Sequence, residues 1–172
     1  GQAVEAVRWC VDNGLRAVMI PTLWYQHDAY HHVKYDPFWE ICEDLGVIVH
    51  FHSGPAPHAE YFGAGFPVED NRDQLPGAMG VYVSEVMWWL YRPLTFMIWG
   101  GVFERFPRLK VMIVEGGTMF MLPPWLRLMD FHYSEGQISA KLGNFREHLS
   151  MKPSEYYQRN IGIGASCVLR PD

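Results

Sequence analysis

Residues 47–54 read Val47-Ile48-Val49-His50-Phe51-His52-Ser53-Gly54. The run is short, apolar and rich in β-branched residues, and it closes on two histidines and a glycine. That suits a buried strand better than a helix. With side chains alternating along a strand, Ile48, His50 and His52 share one face, and Val47, Val49 and Phe51 share the other. Both imidazoles therefore point the same way, and His52 lies where the strand runs out into a loop. In parallel α/β sheets, chemistry gathers at the carboxyl ends of the strands. A histidine placed there is a candidate metal ligand or general base. The plainer alternative is a pair of hydrogen-bonded strand histidines.

The surrounding sequence repeats one rhythm. Upstream, Gln2 to Asn13 carries a helical stripe of Ala3, Val4, Val7, Cys10 and Val11, stopped by Gly14. Arg16 to Leu23 reads as a strand ended by Pro21, and Trp24 to Lys34 as a loop holding His27, His31 and His32. Asp36-Pro37 predicts a helix start with an aspartate N-cap, running to Gly46. Downstream, Pro55 to Gly77 is a long loop rich in Pro and Gly, of the kind that forms an active-site wall or lid. Ala78 to Phe106 predicts two apolar helices divided at Pro93 and at Gly100-Gly101. Leu109 to Val114 predicts a third strand, closed by Glu115-Gly116-Gly117. Pro123-Pro124 opens a helix to about Phe131, Ser139 to Leu149 is loop-like, Pro153-Ser154-Glu155 begins a short helix, and Ile161 to Cys167 predicts a fourth strand. Helix and strand alternating through short turns is the pattern of parallel α/β units.

Composition narrows the function. The 172 residues suffice for one domain with a sizeable core. A net charge of −5 and the lack of any long basic run exclude a nucleic-acid-binding stripe. The apolar stretch from Val81 to Phe103 is interrupted by Glu85, Arg92 and Pro93, too polar for a membrane span. Cys10, Cys42 and Cys167 are odd in number and widely spaced, which argues against a disulfide framework and for a reducing, cytoplasmic setting. The chain opens at Gly1 directly in a helical pattern and stops just after a strand pattern, so the expectation is a piece of a longer protein.

Two strands end on an ionisable residue followed by small ones: His52-Ser53-Gly54 and Glu115-Gly116-Gly117. They belong to consecutive units, so their ends should be neighbours. Parity groups His52 with Ile48, and Glu115 with Val111 and Ile113; if those faces line a barrel, both side chains point into its mouth. A carboxylate there can bind a metal, orient a water or act as general base. The structural alternative is a carboxylate bonded to backbone donors of the next loop. His50 is expected deeper, as a hydrogen-bonded core histidine. His50, and from the rim His27, His31 and His58, are also the candidates for lining a substrate pocket; the alternative for the last three is solvated loop histidines. Arg127 and Asp130, three apart on a helix, read as a surface pair.

Several segments together resemble a known family. They are Tyr35-Asp36-Pro37-x-Trp39, Leu45-Gly46 leading to Val49-x-x-His52-x-Gly54, Gly101-Val102-Phe103-Glu104-Arg105-Phe106-Pro107-x-Leu109-Lys110, Glu115-Gly116-Gly117, Pro124-Trp125-Leu126-x-x-Met129-Asp130 and Pro153-Ser154-Glu155-Tyr156. The sequence is similar to amidohydrolase-related proteins, the TIM-barrel metal enzymes that include aminocarboxymuconate semialdehyde decarboxylase and the resorcylate-type decarboxylases. The resemblance implies an α/β fold of the (β/α)8 type. Residues 1–172 would form part of a single metal-dependent hydrolase-type domain, truncated at both ends and holding about four central βα units. It implies one divalent metal ion, usually zinc, with His52 as the ligand after the fifth barrel strand and the other ligands outside the chain. The superfamily also carries a His-x-His pair on its first barrel strand, but here a complete helix-strand-helix unit precedes His50. In the decarboxylases a catalytic histidine follows the sixth strand, where this sequence has Glu115. That departure favours a hydrolase acting on a small organic acid or ring compound through a metal-bound water. Non-oxidative decarboxylation in the same site is the first alternative, and an inactive piece acting only through association is the second. The Trp- and Met-rich stretch Met87–Trp99 suggests a homo-oligomer contact.

Overall fold

The computed structural model describes residues 1–22, 26–52, 76–115, 122–135 and 146–164. Helix α1 (Gln2–Asp12) buries Val7 completely and packs on α2 (Asp36–Leu45). Both helices end on a glycine with positive φ, Gly14 at 79° and Gly46 at 64°. In each case the residue after the glycine bonds back across the last turn, Leu15 N to Cys10 O and Val47 N to Cys42 O, both at 2.8 Å. This glycine-terminated closure turns the chain straight into the following strand. Asp36 is the first residue of α2 rather than its cap; Tyr35 holds that position, and the Asp36 carboxylate is engaged by Arg105 instead.

Strands β1 (Ala17–Met19), β2 (Ile48–His52), β3 (Val111–Val114) and β4 (Ile161–Ile163) form one sheet in the order β1-β2-β3-β4, all parallel. β1 is shorter than the sequence predicts. Its ladder reaches one bond beyond the strand, Ile20 N to His50 O at 3.0 Å, before Pro21, which has no N–H to continue it. The fourth strand likewise stops at Ile163 within the described residues. His58, Gly116, Gly117, Cys167 and nearly all of the Pro55–Gly77 stretch lie outside those residues.

Helices α3 (Ala78–Trp99), α4 (Val102–Arg105), α5 (Leu122–Glu135) and α6 (Pro153–Asn160) complete the described elements. Pro93 does not divide the long apolar stretch; it lies inside α3, and the break falls at Gly100-Gly101. Leu90, Tyr91, Leu94, Met97 and Ile98, on both sides of Pro93, are all within 1% of complete burial. Each such side chain contributes roughly 1.5–3 kcal/mol, enough to carry the helix across one missing hydrogen bond. The same burial revises the expected contact surface: the second half of α3 is core, and the exposed apolar residues are Met79, Val81, Val83 and Trp88.

One face of the sheet is dry. Val49, Phe51 and Ile113 are completely buried and Val111 nearly so, packed with Trp39, Cys42, Phe103 and Tyr156. In-register residues of neighbouring strands share a face, so Met19, His50, Met112 and Gly162 form one row on the opposite face. That face is only half-buried along β2 and β3.

Candidate active site

β2 and β3 are held in the register His50↔Met112 and His52↔Val114. His52 therefore sits on the half-buried face at the carboxyl end of β2, as alternation predicts. Parity placed Glu115 with Val111 and Ile113 on the inner face, and here the structure differs. Val111 and Ile113 belong to the dry, helix-covered face, so a regular strand would turn Glu115 away from His52. Glu115 instead has φ 60°. That left-handed residue breaks the alternation and returns the carboxylate to the histidine side, where Glu115 Oε2 lies 3.3 Å from His52 Nε2. A non-glycine residue in this region costs roughly 1–2 kcal/mol, and such strain concentrates at functional sites. No signal in the sequence marks the residue as left-handed.

The pair suits a metal. Two donors bound to one ion at the usual 2.0–2.2 Å sit about 2.8–3.6 Å apart at right-angle to tetrahedral geometry, and the observed separation falls inside that span. The two side chains are 32% and 47% exposed in this part of the barrel. Among the described residues, no group of three His, Cys, Asp or Glu converges on a common point. His52 can thus fill one coordination position, with Glu115 beside it as a second donor or as a base, and the pair does not complete a catalytic site, which ordinarily has three protein ligands.

The other candidates lie elsewhere. His50 is half-buried one row below His52, beside Met112. His27 is exposed in the loop after β1. His31 stacks on Phe96, ring centroids 5.3 Å apart, and its backbone carbonyl accepts from Arg105. Burial, reinforced by His32 and Arg105, pushes its imidazole below the ordinary histidine range. Gly100 makes this packing possible: a Cβ there would stand 2.2 Å from His31 Cβ. His31 is thereby committed to the scaffold. His32 Nδ1 accepts from Lys34 N and caps the 3-10 turn Val33–Tyr35.

The segments that carry the family resemblance mostly build the outer layer. Arg105 clamps both oxygens of Asp36, at 3.0 and 2.9 Å, and donates to Gly100 O. Glu104 accepts from Ser150 N, Ser150 Oγ and the Tyr156 hydroxyl. Burial pushes Glu104 upward, but these donors outweigh it and hold the carboxyl below its usual range. Asp130, expected to pair with Arg127 on the surface, accepts from Ser154 N and Oγ at the start of α6. Glu155 closes the same turn by accepting from Lys152 N at 2.7 Å.

The amidohydrolase family model matches residues 1–154, and the chain belongs to that family. No protein of curated function matches it in sequence. Among solved structures it is similar to 5-carboxyvanillate decarboxylase from Sphingomonas paucimobilis, with 24% identity and a TM-score of 0.66 over 94% of this chain and 43% of that one. An amidohydrolase from Mycobacterium avium subsp. paratuberculosis K-10 gives 20% identity and a TM-score of 0.66 over 93% and 38%. A 5-carboxyvanillate decarboxylase from Novosphingobium aromaticivorans, solved with bound manganese, gives 16% and 0.63 over 94% and 43%. The chain spans less than half the length of each of these structures. The family's fold is the TIM barrel, and the four parallel strands with their helices make up part of one.

Proposed function

We propose that the chain carries part of the active site of a metal-dependent hydrolase acting on a small organic acid or ring compound. The observation that supports this reading is the His52–Glu115 pair, brought to 3.3 Å by a strained backbone at the carboxyl ends of adjacent strands. His52 Nε2 would hold the metal through its lone pair, and the remaining ligands would come from parts of the protein beyond the described residues. The ion, when bound, supplies Lewis-acid polarisation and lowers the pKa of water. Zinc is the proposed metal, with manganese the alternative because a neighbour binds it. Glu115 would orient the attacking water and accept its proton at Oε2, a role that asks for a carboxylate positioned within hydrogen-bond reach of that water.

Decarboxylation in the same site is the second reading, favoured by the decarboxylases among the structural neighbours. Glu115, protonated, would then deliver its proton to the carbon that loses carbon dioxide. Release of carbon dioxide rather than uptake of solvent oxygen into product would select this reading.

In the whole protein, His52→Ala should lower metal content several-fold, whereas Glu115→Gln should leave metal bound and reduce turnover by about 10²–10⁴-fold. Normal turnover in Glu115→Gln would remove it as the base. Full metal retention in His52→Ala would remove the ligand assignment. Retained metal with no turnover on any acid would instead support a purely associative role.

Assembly is part of the same proposal. Val81 and Trp88, seven positions apart and therefore on one side of α3, are exposed and are offered as a homo-oligomer contact. Trp88→Glu should shift the sedimentation of the whole protein towards the monomer; an unchanged oligomer counts against that contact. Among the described residues, no helix is long and apolar enough to cross a membrane. A cytoplasmic setting is part of the same proposal, in keeping with the odd number and wide spacing of the cysteines in the sequence.

A further inference from the structure

We propose that Gly164 sets the width of the substrate the site admits. The inference rests on the reading of His52 and Glu115 as the reacting end of the site.

β4 carries Ile161-Gly162-Ile163, followed by Gly164. The register Met112↔Gly162 puts Gly162 on the His50 face, and Gly164 N donates to Ile113 O at 2.8 Å, which extends that register to Val114 and hence to the row of His52. Glycine in a strand costs roughly 0.5–1 kcal/mol relative to alanine, so two glycines on one face need a cause. Backbone conformation does not supply one: neither residue has the positive φ that would demand glycine. Crowding does not supply one at Gly164 either. A Cβ there would meet only backbone, Ile113 O at 3.5 Å, Val114 Cα at 3.7 Å and Glu115 N at 3.9 Å, all ordinary contacts.

The two glycines differ in what stands above them. A Cβ at Gly162 would touch Met112 Cε at 3.4 Å, so that level is closed by a neighbouring side chain, as barrel interiors are filled in layers. Gly164 lies one level nearer the mouth, beside Glu115. Strand glycines of this kind mark a close approach of another group to the backbone. With strands about 4.8 Å apart, Gly164 lies two spacings, or roughly 9.5 Å, from His52. A compound whose reacting group sits at His52 and Glu115 would lay its body across Val114 and reach Gly164 with its far edge. A side chain there would shorten that shelf while meeting Glu115 only at its backbone nitrogen and His52 not at all.

The test is made on the metal-loaded whole protein with two anions of equal charge and different width, benzoate and 2-naphthoate, their binding measured by calorimetry. Gly164→Val should weaken 2-naphthoate by about tenfold or more and benzoate by less than about threefold, within the range that a change of one or two methyl groups in a pocket produces. Gly164→Ala should lie between, and it keeps the test alive should the valine variant not fold. Equal weakening of both acids, no weakening of either, or failure of the unsubstituted protein to bind either would overturn the proposal. Metal content, followed separately in His52→Ala, tells a failure of the underlying site from a failure of this inference.

Discussion

Glu104 and Glu115 are eleven positions apart and are held on opposite terms. Glu104 sits on a regular helical turn and accepts from the amide and hydroxyl of Ser150 and the hydroxyl of Tyr156. Glu115 sits on a left-handed residue, nearly half exposed, facing the imidazole of His52. The first carboxylate is tied to the scaffold by three donors at Oε1. The second is held by a strained backbone opposite His52, which is where a group that is to hold a metal or take a proton must stand. The lesson extends beyond the pair. The Gly-Val-Phe-Glu-Arg-Phe-Pro run, the most recognisable stretch of the chain, serves the layer that carries the site and not the site itself.

This contrast can be broken from either side. The largest expected effect is the loss of turnover in Glu115→Gln, and what sharpens the comparison is the thermal midpoint of the same variant. It should stay level or rise, because the amide keeps the shape of the site and no scaffold bond is lost. A fall of several degrees would make Glu115 a structural residue after all.

Arg105→Leu should behave in the opposite way. It removes a two-pronged bond to Asp36, both partners being only 33% and 26% exposed, together with the bond to Gly100 O. Charge-assisted bonds of this type contribute about 1.5–3 kcal/mol when shielded, and partial exposure brings the expected loss to about 1–2 kcal/mol. Denaturant unfolding should record it while kcat of the remaining folded protein is preserved. An intact stability with a collapsed kcat would mean that this side of the molecule takes part in the chemistry.

The smallest effect is one of pH. The Glu104 carboxyl is held below its unfolded value, so its contribution to stability is present above the unfolded pKa of about 4.5 and is lost as pH falls through the lower folded value. Stability measured from pH 6 down to pH 3 should therefore fall less steeply in Glu104→Gln than in the unsubstituted protein. Parallel acid limbs would show that the Ser150–Tyr156 arrangement does not depend on the charge. The group lies near the surface, so the difference should be a fraction of a kcal/mol, roughly, as for other screened carboxylates.

Much of this was legible in the residues. Alternation in Val47–His52 set which side of β2 carries both histidines, because the strand period is fixed by backbone geometry alone. Glycine at 14 and 46 marked two helix ends, since few other residues accept positive φ there. The spacing of strands and helices implied a parallel sheet, and the family resemblance named its barrel. Tertiary structure decided three things. Pro93 stays inside α3 because side chains distant in sequence bury both of its flanks. Asp36 and Asp130 leave their local roles for Arg105 and Ser154, partners 69 and 24 positions away that no local pattern announces. Parity assigned Glu115 to the same face as Val111 and Ile113, and only its φ of 60° returned it to His52. A single backbone torsion carries no trace in composition or period. For that reason the chemistry of the strand end had to be read from the fold.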